Sequence, residues 1–120
     1  MSSDAPRGWT LRFAPHLGLR APDQPLFQHS AAGADPVAQI DYAAALGFAG
    51  VFDNFLKIRP AAEQERIGAA LARHGLAMGS FVNSVELWNA RLWGSDDPAA
   101  LAQIERDVAT SVEVAQRVGG

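Results

Sequence analysis

Gly47-Phe48-Ala49-Gly50-Val51-Phe52-Asp53-Asn54-Phe55 passes from a helix stop to a strand to a polar pair within nine residues. Gly47 can take the left-handed backbone that closes a preceding helix, and Val51 and Phe52 suit a buried strand. Asp53 and Asn54 then fall where that strand is expected to reach solvent. In parallel α/β proteins ligands bind at the carboxyl ends of the strands, which makes this pair the first candidate functional surface.

The same order of helix, glycine, strand and polar end recurs on either side. Upstream, Asp35-Pro36 supplies a side-chain cap and a proline for the first helical position, and a helix through Val37, Ile40 and Ala44 runs to Gly47. Before it, residues 9–14 predict a first strand with Leu11 and Phe13 on one side, ending in Pro15-His16-Leu17-Gly18. Residues 19–34 predict a long loop. Downstream, Pro60 opens a helix with Glu63 and Glu65 in its first turns, a stripe of Ile67, Ala70, Leu71 and His74, and a stop at Gly75. Residues 76–82 predict a third strand, apolar enough to be covered on both faces, which finishes in Asn83-Ser84. After a loop holding Glu86, Trp88 and Trp93, Asp97-Pro98 repeats the helix start. Leu101, Ile104, Val108, Val112 and Ala115 then form the most regular helical stripe of the chain. The fold class is therefore α/β, with parallel strands alternating with helices in three βα units. Residues 1–10 read as a flexible tail ahead of a domain over 11–120.

Composition narrows the function. The 120 residues are 48% hydrophobic and 19% charged with a net charge of −3, an ordinary globular balance that offers no basic surface for a nucleic-acid backbone. Cysteine is absent, which removes disulfides, thiolate catalysis and cysteine-held zinc, and agrees with a cytoplasmic location. No run approaches the roughly 20 apolar residues that span a bilayer, so no membrane partner is expected. The chain also lacks a Gly-x-Gly-x-x-Gly phosphate loop, a Gly-x-Ser-x-Gly elbow and a His-x-x-x-His pair.

What remains is a rim. His16, Asp53, Asn54 and Asn83 each follow a predicted strand, and adjacent parallel strands would gather them around one mouth suited to a small polyol or keto acid. Histidine adds a proton-transfer group for near-neutral pH. Against this, His16 and Asn83 can simply terminate strands and bond loop backbone, and Glu86 reads as a solvated loop carboxylate. Trp88 and Trp93 suit packing over the rim as well as capping a pocket, and His74 suits a helix C-terminus.

Leu11-Arg12-Phe13-Ala14-Pro15-His16-Leu17-Gly18, the Ala34-Asp35-Pro36 start with Gln39-Ile40, Gly47-Phe48, Asp53-Asn54, Glu63-Gln64-Glu65-Arg66-Ile67-Gly68, Met78-Gly79-Ser80-Phe81-Val82 and Ser111-Val112-Glu113-Val114-Ala115 together resemble the opening of a xylose-isomerase-like TIM barrel. The hydroxypyruvate isomerase-like, or sugar phosphate isomerase/epimerase-like, proteins are the most similar members. The resemblance implies the first three units of a (β/α)8 barrel and a metal-assisted isomerisation or epimerisation of a small hydroxy-carbonyl or sugar substrate. It implies a divalent ion (Mg, Mn or Co) held by strands beyond those of this chain, so that no catalytic and no metal-ligating residue falls here. The substrate-binding residues carried over are His16, Asp53, Asn54 and Asn83. Where many relatives have a glutamate before the position of Asp53, this chain has Phe52. The expected partner is the remainder of the barrel or further copies of the chain. The competing expectations are a non-catalytic module that self-associates through open sheet edges, and a binding-only sugar protein.

Overall fold

The computed structural model describes residues 11–30 and 32–119. Strand β1 spans His16–Gly18, helix α1 Pro36–Leu46, strand β2 Gly50–Asp53, helix α2 Ala61–His74, strand β3 Ala77–Met78 and helix α3 Pro98–Arg117, with short 3-10 turns at Leu56–Ile58 and Val85–Leu87. The three strands are parallel and lie in the order β1-β2-β3. Sheet order thus follows chain order, which the first three strands of a barrel share with the first half of a dinucleotide-binding sheet, since the latter reverses only at its fourth strand. The sheet is open. Among the described residues, β1 and β3 each pair with β2 alone.

Local chemistry sets the element ends as the sequence predicts. The Asp35 and Asp97 carboxylates accept from the backbone N–H groups of Ala38 and Ala99, and prolines occupy the first helical positions. Gly47 closes α1 at φ 92°, where a side chain would clash with its own backbone. Gly50 is required for another reason: a Cβ there would collide with the Ala77 carbonyl oxygen on β3.

One apolar cluster joins Leu17 of β1, Val51 of β2, Ile40 and Ala43 of α1, Ile67, Ala70 and Leu71 of α2, and Val114 of α3. All three helices therefore share one side of the sheet. Side chains alternate along a strand, so His16 and Phe52 face the other side, where their rings meet edge to face at 5.9 Å.

Three sequence expectations change. The first strand lies later than residues 9–14; Trp9 and Thr10 fall outside the described residues, as does the whole predicted tail, and residues 11–14 form no strand. Pairing with β2 nonetheless starts early, since Phe13 and Pro15 carbonyls accept from Ala49 and Phe52. The third strand is two residues rather than seven, although Gly79 N–H and the Ser80 carbonyl extend its bonds to β2 irregularly. The α3 stripe is rotated off the core: Leu101, Val108 and Val112 are exposed, and the helix buries Ala100 and Val114 instead.

Candidate functional site

Strands β1 and β2 pair through His16 with Phe52 and Gly18 with Asp53, across an irregularity in β1. His16 is thus the first residue of its strand rather than the residue after it. Its Nδ1 is buried without a hydrogen-bond partner. Burial pushes the imidazole below the usual histidine pKa, with the Asp53 carboxylate pulling the other way. The ring lines a cavity of about 230 Å³ that Arg20, Gln24 and Gln28 share with Leu19 and Leu26.

Asp53 does not reach solvent. By alternation it points to the helix side, where it is fully buried. Its Oδ2 accepts from Arg59 Nε at 2.6 Å, and its Oδ1 accepts from the Phe55 N–H at 3.0 Å. Arg59 extends this contact: Nη1 donates to Glu63 at 2.8 Å and Nη2 to the Pro22 carbonyl at 2.9 Å. Burial disfavours the guanidinium charge, but the bonds and charges of Asp53 and Glu63 outweigh it and hold the Arg59 pKa above its usual value. A buried, fully bonded pair of this kind fixes geometry more than it adds stability.

Asn54 stands at the lip. Its backbone N–H donates to the Gly18 carbonyl at 2.9 Å and its side-chain amide to the Leu19 carbonyl at 3.1 Å, tying β2 to the loop after β1. Asn83 lies beyond β3, where its Oδ1 accepts from the Ser111 hydroxyl and its carbonyl from Lys57 Nζ. Asp53 and Asn54 lie at the carboxyl end of β2 and Asn83 beyond β3, while His16 opens β1 and pairs with Phe52 one residue short of that end. His16 carries the unsatisfied atom, while the polar groups of Asp53, Asn54 and Asn83 named here bond to their own protein.

The loop over His16 is held down by bonds to a backbone carbonyl and to a buried amide side chain. The Leu26 N–H donates to the His16 carbonyl at 3.1 Å. The buried Gln39 accepts from the Phe27 N–H and donates to the Gly33 carbonyl. Glu86, Trp88 and Trp93 are exposed, and His74 bonds Asp41 on α1 at 2.7 Å. Arg20, Gln24 and Gln28 had one available signal, a polar spacing of four residues across the first long loop.

Among the described residues no three His, Asp or Glu side chains gather to hold a metal ion, so they offer no ligand set for the divalent ion that the resemblance implies. Nor is any described helix long and apolar enough to cross a membrane. Comparison of the chain with protein-family models, with curated proteins and with solved structures finds no match in any of the three.

Proposed function

We propose that the chain is the N-terminal part of a metal-dependent isomerase or epimerase of the xylose-isomerase-like kind, cytoplasmic, acting on a small hydroxy-carbonyl or sugar substrate, with its metal ligands outside these residues. The observation that carries this reading is a buried, unpartnered His16 Nδ1 in a ring that lines a cavity with Arg20, Gln24 and Gln28 and pairs next to the carboxyl end of β2. Burial favours the neutral imidazole, whose two ring nitrogens are one donor and one acceptor, so the ring that lines the cavity can bond a hydroxyl in either role. Arg20, Gln24 and Gln28 supply donors for further oxygens. In this reading His16 contacts substrate, Asn54 forms the lip, and Asp53 and Asn83 fix the backbone on which the mouth is built.

The test is a titration of the chain with hydroxypyruvate, dihydroxyacetone and fructose, following the three histidine side chains by NMR. The His16 resonances are expected to move while those of His29 and His74 stay, and His16→Ala is expected to abolish the response. An unmoved His16 with every hydroxy-carbonyl ends the reading. Turnover by this chain with added manganese would show that the catalytic groups had been placed wrongly, and binding by the complete protein without turnover would favour the binding-only alternative.

A second reading has its own support. Ala77 on β3 is exposed at the side of an open sheet, which suits self-association of a non-catalytic module.

A further inference from the structure

Lys57 is the only lysine of the chain; every other Lys or Arg position is arginine. It lies in the turn Leu56–Ile58 between β2 and α2, half-buried. Its Nζ donates to the Asn83 carbonyl at 2.7 Å, the Asp107 carbonyl at 2.9 Å and the Ser111 hydroxyl oxygen at 3.0 Å. Three acceptors around one nitrogen call for three N–H groups, so the side chain is an ammonium. No lone pair is then left to attack a carbonyl, and the residue is unsuited to amine nucleophilic catalysis.

The grip converges on Asn83. Lys57 holds its carbonyl, while the Ser111 hydroxyl donates to its Oδ1. The Asp107 carboxylate turns away from the ammonium to accept from the Ser84 hydroxyl and the Gln103 amide. The Ser84 bond leads in holding the Asp107 pKa below the usual carboxylate value. Lys57, Asn83, Ser84, Gln103 and Asp107 wall a cavity of about 160 Å³ together with Glu86 and others. Burial lowers the Lys57 pKa against the pull of Asp107.

We propose that Lys57 is a positioning residue whose ammonium sets the placement of Asn83 and of residues 83–97 on the carboxyl rim, by binding acceptors from that segment and from α3 to the turn after β2. The proposal rests on these bonds and holds whichever ligand the rim takes.

The chain's lack of cysteine makes a clean test possible. Lys57→Cys is prepared and then alkylated either with 2-bromoethylamine, which restores an amine at nearly the original length, or with iodoacetamide, which adds a neutral group of similar size. Amide hydrogen exchange is read over residues 83–97 and over α1 and α2. Lys57→Cys is expected to speed exchange in 83–97 about tenfold or more while leaving α1 and α2 unchanged, as local opening does. The aminoethyl adduct restores protection and the neutral adduct does not. Equal protection by both adducts, or exchange unchanged by the substitution, overturns the proposal. If Lys57→Cys does not fold, Ser111→Ala takes its place: it removes one acceptor of the ammonium and the donor to Asn83, and unchanged exchange in 83–97 then overturns the proposal equally.

Discussion

Asp53 and Arg59 show how one residue's surroundings set its role. A carboxylate at the end of a strand reads as a ligand group, yet here it has no solvent exposure and bonds a guanidinium that is itself buried. Arg59→Met would leave that carboxylate buried without its cation, a loss expected to cost about 3–5 kcal/mol in urea denaturation. A cost below about 1 kcal/mol would mean that water reaches Asp53 and compensates. His16 makes stability depend on pH. Its folded pKa is depressed, so its contribution to stability is complete above the unfolded value of about 6.5 and is lost as pH falls through the lower folded value. Urea midpoints measured down an acid series are therefore expected to fall less steeply in His16→Gln than in the wild type, and parallel slopes would contradict burial of the imidazole.

At the level of elements, α3 separates helical pattern from burial. Its apolar stripe is regular, but Leu101, Val108 and Val112 are exposed, while the residues the helix buries fully are Ala100 and Val114. Leu101→Ala is expected to change stability by less than about 0.5 kcal/mol, whereas Ile67→Ala in α2 is expected to cost about 2–5 kcal/mol. Similar costs in thermal or urea unfolding would show that the exposed stripe packs after all. The two Asp-Pro starts and the Gly47 and Gly75 stops were legible in the sequence because caps act within four residues. The first strand was not, because apolar alternation in residues 9–14 marks strand character without saying where β2 supplies its partners. Strand ends were legible enough to place Asp53 and Asn54 at the end of β2, but not to show that His16 opens its strand. The burial of Asp53 was not legible either, since Arg59 reaches it through a turn whose geometry no local pattern encodes.

At the scale of the molecule, the described residues form a sheet with helices packed on one side, in which β1 and β3 each pair with β2 alone. Part of the outer edge of β1 is occupied, because the His16 carbonyl accepts the Leu26 N–H. The β3 edge carries exposed Ala77 and a half-buried Met78. Light scattering is expected to give a mass that rises with concentration, and Ala77→Lys is expected to suppress that rise by placing a charge at the edge. A constant monomer mass in the wild type would count against edge pairing.

Arg59 touches both the tip of the second strand and, through the Pro22 carbonyl, the covering of the His16 hollow. What fits beside the imidazole is therefore adjustable from behind. Replacing the guanidinium would let that covering settle elsewhere, so a change in ligand preference could be selected without altering a single residue of the hollow's own lining.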